Sequence, residues 1–158
     1  MHTSYPHLVS RTKHTILLAE DEPASELLTL KVLQTGEFPV DVHVTRDGRA
    51  TWEFLKDASN PRPDLVLLDL CMPVMDGMEV LRRVRSDEGL RLLPVVVLSS
   101  ANLPLTIRDA YLAGANAFVA KGQSLAQLRE DLAATLRFWL KACVRPTPAP
   151  VAEEFGAL

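Results

Sequence analysis

The chain has 158 residues, 47% apolar and 23% charged, with a formal net charge of -3 and a pI near 5.8. That is enough chain for one domain with a full core. No basic excess points to nucleic acid or an anionic membrane surface, and no apolar run approaches the roughly 18 residues of a spanning helix. The two cysteines, Cys71 and Cys143, have no metal-site spacing and are too few for a disulfide framework. The opening MHTSYPHLVSRTKHT lacks the apolar segment of a signal peptide, so a cytoplasmic location is expected.

TILLA (15–19) predicts a buried strand, rich in β-formers and without alternation. EDEP then opens a helix, with Pro23 in a first turn where its missing N–H costs nothing. Leu27, Leu28, Leu30, Val32 and Leu33 are expected to fill that helix up to Gly36. VDVHVT (40–45) alternates Val40, Val42 and Val44 with polar residues, as a half-exposed edge strand does. RDGRATWEFLKDA gives a second helix carrying Ala50, Trp52, Phe54 and Leu55. DLVLLD (64–69) is a second buried run, and MEVLRRVRS (78–86) a helix with Met78, Leu81 and Val84 at helical spacing. PVVVLSS (94–100) is a third buried run, LTIRDAYLAG (105–114) a helix stopped by Gly114, and NAFVA (116–120) a short strand. A final helix spans 124–144, with Ser124 as N-cap. Leu125, Leu128, Leu132, Leu136, Trp139 and Cys143 form its inward stripe, and Phe138 falls on the opposite face.

Strand and helix thus alternate five times. Unalternating runs imply strands covered on both faces, hence an α/β parallel sheet with helices on each side. Ligands of such sheets bind beyond the C-terminal strand ends. There the chain places Glu20, Asp21 and Glu22 after the first strand, Asp69 after the third, Ser99 and Ser100 after the fourth, and Lys121 after the fifth. Carboxylates gathered in one crevice repel, and a hard divalent cation such as Mg²⁺ relieves that repulsion. A carboxylate with Mg²⁺, an ammonium and a hydroxyl nearby is equipped to take up a phosphoryl group. Taken singly, each residue has a plainer explanation. An acid after a strand commonly caps a helix, which is an even alternative for Glu22. A serine there is usually a turn residue and a lysine a surface charge. The combination at four of five strand ends is what argues for a site.

The segments ILLAEDE, PDLVLLDLCMPVMDG, PVVVLSS and GANAFVAKG, in this order and spacing, resemble the receiver domains of two-component response regulators over residues 14 to about 141. The resemblance implies a doubly wound, flavodoxin-like (βα)5 fold with strand order 2-1-3-4-5. It divides the chain into an N-terminal extension (1–13), a receiver (14–141) and a flexible Pro/Ala-rich tail (142–158). It implies that Glu20 and Asp21 hold Mg²⁺, that Asp69 accepts the phosphoryl group, and that Cys71 gives the metal its backbone carbonyl. Ser99 takes the Ser/Thr switch position, Phe118 the aromatic switch position, and Lys121 that of the family lysine. Lys121 is followed here by Gly122 instead of the usual proline, which removes the preference for a cis peptide. The slots two residues past Asp69 and Ser99 hold Cys71 and Ala101, neither of which orients a water well, so slow autodephosphorylation is expected.

The 17 or so residues after the last helix form no output domain, so the chain resembles stand-alone receivers. RSDEGLRLLPVVVLSSAN and AYLAGANAFVAKGQSLAQL are most similar to the regulators of bacterial and cyanobacterial phytochromes. That implies a sensor histidine kinase as partner, with a bacteriophytochrome as the candidate. It also implies a homodimer through the fourth helix, fifth strand and fifth helix, with no nucleic-acid or membrane partner. An Mg-dependent aspartate phosphatase is the enzymatic rival, but such enzymes need a second Asp where Cys71 stands. A pseudo-receiver that never takes phosphate is the other rival, and such proteins typically lose the acceptor Asp or the Lys. The expectation is a receiver that assists its own phosphorylation and dephosphorylation, and no enzyme acting on outside substrates.

Overall fold

The computed structural model describes residues 13–122 and 124–146. Five strands, β1 (His14–Ala19), β2 (Val40–Thr45), β3 (Leu65–Leu68), β4 (Val95–Ser99) and β5 (Ala117–Ala120), alternate with α1 (Pro23–Gln34), α2 (Gly48–Lys56), α3 (Gly77–Ser86), α4 (Pro104–Leu112) and α5 (Leu125–Arg137). All strand pairs are parallel, in the order β2-β1-β3-β4-β5. The α/β class, the strand order and the edge position of β2 agree with the sequence reading.

The absence of alternation in β1, β3 and β4 has a direct cause. Leu17, Val66, Leu68, Val95 and Val97 point to one face, where α3 contributes Val80, Leu81 and Val84 and α4 contributes Ala110. Ile16, Leu18, Leu65, Leu67, Val96 and Leu98 point to the other, against Val32 and Leu33 of α1 and Leu128, Leu132 and Leu136 of α5. Both faces are covered, so the runs 16–19, 65–68 and 95–98 are apolar throughout.

Two helices carry detail that the sequence pattern does not give. In α1, Leu27 and Leu28 are exposed, while Thr29, Val32 and Leu33 are buried. The inward stripe therefore runs through positions 29, 32 and 33, and the leucine run straddles it. The final helix is α only to Arg137 and continues as one π-helical turn, Phe138–Ala142, closed by Cys143 N–H donating to the Phe138 carbonyl at 2.7 Å. Leu140 continues the buried stripe of Leu128, Leu132 and Leu136, while Trp139 packs at its side and Leu125 is exposed. Phe138 is exposed, as expected. Beyond the π turn, Arg145 reaches back to Asp64 at the base of the sheet, Nη1 to Oδ1 2.9 Å. The remaining tail (147–158), and the extension apart from Lys13, lie outside the described residues.

The register brings Ala19 beside Leu68, Leu68 beside Val97, and Ser99 beside Ala120. The residues that follow, Glu20, Asp69 and Lys121, therefore emerge at one end of the sheet. The loop after β3 is pinned from below. A Cβ on Gly77 would lie 2.1 Å from the Asp69 carbonyl oxygen, so α3 can start only where it does because residue 77 has no side chain. Gly77→Ala is expected to lower stability by about 1–3 kcal/mol, the scale of overpacking. Urea denaturation measures it, and an unchanged midpoint would show that the loop moves away at little cost.

Candidate functional site

The backbone ladder continues one residue past three of the strands. Glu20 N–H donates to the Thr45 carbonyl at 2.9 Å, Asp69 N–H to the Ala19 carbonyl at 3.0 Å, and Lys121 N–H to the Ser99 carbonyl at 2.9 Å. These bonds hold the site residues as rigidly as the sheet itself.

Glu20 and Asp69 are buried, Asp21 is half-buried, and carboxylate oxygens of all three lie within 4.8 Å of one another. Lys121 sits between two of them. Its Nζ donates to Asp69 Oδ2 at 3.0 Å and to Glu20 Oε2. Asp69 Oδ1 accepts the Cys71 N–H at 3.2 Å, and Glu20 Oε1 accepts the Glu22 N–H at 3.1 Å. Burial raises the Glu20 pKa above its ordinary value, and the Lys121 ammonium and the Glu22 N–H offset that only in part. For Lys121, burial acts to lower the pKa, but the bonds to Glu20 and Asp69 outweigh it and the net direction is upward. Three clustered oxygen donors on hard carboxylates suit a divalent cation of the Mg²⁺ kind.

Ser99 is fully buried, and its Oγ accepts the Ala101 N–H at 3.2 Å. Its hydroxyl therefore serves a turn, one strand over from Asp69. Phe118 lies half-buried against the core on the α3/α4 face, and its backbone N–H donates to the Tyr111 hydroxyl at 3.1 Å. Cys71 is exposed, and its Sγ is not part of the acidic cluster. Glu22 is resolved as the N-cap of α1, accepting from Ala24 N–H and Ser25 N–H at 3.1 and 2.6 Å. No cis peptide occurs among the described residues, in keeping with Gly122 after Lys121.

The response regulator receiver domain, as a family model, matches residues 16–133. The chain belongs to this family. Response regulator Rcp1 of Synechocystis sp. is 33% identical over 141 residues, 87% of this chain and 96% of Rcp1. The crystal structure of Mn²⁺-bound Rcp1 matches with a TM-score of 0.78 over 85% of this chain and 99% of the Rcp1 chain. The phosphorylated cyanobacterial phytochrome response regulator RcpA is 34% identical with a TM-score of 0.80, covering 85% of this chain and 99% of its own. The bacteriophytochrome response regulator AtBRR is 35% identical with a TM-score of 0.65, covering 77% and 91%. This receiver is thus related to phytochrome response regulators.

Two features of this receiver site escaped the sequence reading. One is the Tyr111 hydroxyl on the backbone of Phe118, since a tyrosine in an amphipathic helix carries no signal of its hydrogen-bond partner. The other is the close approach of Gly77 to Asp69, for which the Asp76-Gly77 pair was a usable clue.

Lys121→Met would leave Glu20 and Asp69 facing one another without a cation. We expect a stability loss of about 3 kcal/mol at pH 7, the lower end for removing one partner of a buried pair. A carboxyl whose folded pKa is raised binds its proton more tightly in the folded state. Folding of the variant is therefore favoured as pH falls, and the deficit should shrink between pH 7 and pH 5. Denaturant melts at the two pH values measure it, and an equal deficit at both would contradict the assignment.

Proposed function

We propose that this chain is a phosphorylatable receiver of a two-component relay, with the receiver at residues 14–141, acting in the cytoplasm. Its phosphoryl donor is a sensor histidine kinase, and the likeness to RcpA and AtBRR favours a bacteriophytochrome. The observation that carries this reading is the Asp69 carboxylate at the end of β3, with Lys121 Nζ at 3.0 Å and Glu20 and Asp21 gathered beside it.

A carboxylate oxygen of Asp69 attacks phosphorus of the phosphohistidine. The P–N bond breaks, the imidazole leaves with the electron pair, and an acyl phosphate forms on Asp69. Lys121 pairs with one phosphoryl oxygen, exchanging its bond to the Asp69 carboxylate for one to the new group. The Ser99 hydroxyl, which now accepts from Ala101 N–H, turns to donate to another phosphoryl oxygen. Mg²⁺ held by Glu20, Asp21, Asp69 and the Cys71 carbonyl would offset the remaining negative charge. The movement of Ser99 opens room that Phe118 fills, shifting the population between two packings of α4, β5 and α5. With no outside substrate turned over, the output is binding. Exposed Leu105, Tyr111 and Leu112 on α4, with Phe138 after α5, supply apolar surface for a homodimer on this face.

Isotope transfer from acetyl phosphate, with Mg²⁺ present, should label the protein, and Asp69→Asn should abolish the label. Label persisting in the variant would identify another acceptor. In a chase, Cys71→Asn/Ala101→Glu should lose phosphate faster than the native chain, and equal lifetimes would remove the role assigned to those two slots. Sedimentation at high protein concentration should show a dimer that strengthens with a phosphoryl mimic. A monomer under both conditions counts against the dimer.

A further inference from the structure

The five α-helices are not held alike. Glu22, Asp47, Asp76 and Ser124 each cap the N-terminus of their helix with a side-chain oxygen. At α4 the N-cap position is Leu103, which makes no such bond, so the first-turn N–H groups lack a side-chain partner at the end that follows Ser99. Only Ala110 of α4 is fully buried.

The other end is fixed. Arg85 of α3 donates Nε to the Gly114 carbonyl at 2.7 Å, Nη1 to the Arg91 and Leu93 carbonyls at 3.0 and 2.9 Å, and Nη2 to Asn116 Oδ1 at 2.7 Å. Asn116 Oδ1 also accepts the Val95 N–H at 2.8 Å. Gly114 adopts φ 103°, and a Cβ there would lie 2.6 Å from Arg85 Cγ. The turn from α4 to β5 is therefore joined to α3 and to the start of β4. Next to this fixed end, a side-chain bond ties α4 across to the β5 edge: Tyr111 Oη accepting the Phe118 N–H. Its acceptor sits in the last turn of α4, and its donor belongs to the aromatic residue assigned to the switch.

We propose that Tyr111 is a latch. Its hydroxyl holds α4 against β5 in the unphosphorylated chain, and its release lets α4 pivot about the Arg85-clamped end, led by its uncapped end near Ser99. Tyr111 is a positioning residue, since it acts through the backbone of Phe118 and touches no phosphoryl group. The proposal rests on the reading of Asp69 as phosphoacceptor, because the latch opens in response to that event. Tyr111 lies half-exposed on the face offered for dimerisation, so its release also frees its hydroxyl and the Phe118 N–H at the surface where a second copy would sit.

The test compares the full chain with Tyr111→Phe, which keeps the ring and removes the hydroxyl. Amide hydrogen exchange at Phe118, read by NMR without any mimic, should be roughly three- to tenfold faster in the variant, the scale of one net hydrogen bond. With Mg²⁺ and beryllofluoride, the native Phe118 amide should lose protection to the level of the variant, while the variant changes little. Uptake from acetyl phosphate should be severalfold faster in the variant, because its competent packing is more populated. If fluorine NMR shows the mimic bound and the native Phe118 amide stays protected, the latch is overturned. Unchanged Phe118 exchange in Tyr111→Phe also overturns it. Failure of the mimic to bind the native chain, with no label on Asp69, refutes the acceptor reading instead, and the exchange comparison without mimic still decides whether the latch bond exists.

Discussion

The Lys121 ammonium, lodged between Glu20 and Asp69, is the interaction on which the rest of the crevice depends. Two unit charges about 4 Å apart repel by roughly 4 kcal/mol at the effective dielectric of a partly buried site. That is a large share of the stability of a domain this size. Apolar strands deliver both carboxylates to the same end of the sheet, so the repulsion is built into the topology. Lys121 offsets it from the end of β5, across the whole width of β4 and β3. The parallel order β2-β1-β3-β4-β5 is therefore a condition of the site as well as a packing solution: it places the cation-bearing strand at a distance its long side chain can bridge. The same geometry explains why the two partners differ in exposure, with Glu20 fully buried and Lys121 still reachable from solvent.

Much of this was legible in the sequence because the signals were strong and local. Unalternating runs in β1, β3 and β4 follow from burial on both faces, and each run ends in the residue that carries chemistry. Ser124 announces its helix as a cap. Which face of α1 turns inward was not legible, because Leu27 and Leu28 are apolar yet exposed. Composition could not rank five apolar residues around one helix, and only the position of the sheet decides which face is inward. The π turn at Phe138–Ala142 was out of reach for a related reason. No residue pattern marks a π turn: Leu140 follows Leu136 by an ordinary helical step of four and extends the stripe, with Trp139 packed beside it. In the site, the identities of Glu20, Asp69, Ser99 and Lys121 were readable from their places after strands. Which of them touch was not, because the pairing of Lys121 with Glu20 joins residues 101 positions apart.

The loop that carries Asp69 is braced on every side. Val74 sits at φ 69° between Pro73 and Met75, whose N–H donates to the Pro73 carbonyl at 2.8 Å, a tight three-residue turn of the strained hand. An exposed β-branched residue in that conformation costs of order 1–3 kcal/mol and persists only where its surroundings over-determine it. They do so here: a Cβ on Gly48 would fall 1.8 Å from the Met75 carbonyl oxygen, and Gly77 is pressed against the backbone of Asp69. The N-termini of α2 and α3 thus seat the loop from beneath.

This bracing has a directional consequence. A packed core is bistable and does not deform continuously, so a change at one strand end moves whichever neighbouring element is least held. On the β3 side, two glycine-mediated backbone contacts and two capped helices resist displacement. On the β4 side, the segment from Ser100 to Leu103 leads into an uncapped helix that buries only Ala110. Local opening free energies follow such differences in burial and hydrogen bonding. On the proposed role of Asp69, a group added there would find a rigid floor beneath it and a yielding wall at Ser99, and the response would be steered toward α4 and the β5 edge. The asymmetry arises from where the chain puts glycine and where it puts a side-chain cap, so the same residues that fold the crevice also set which of its walls yields more easily.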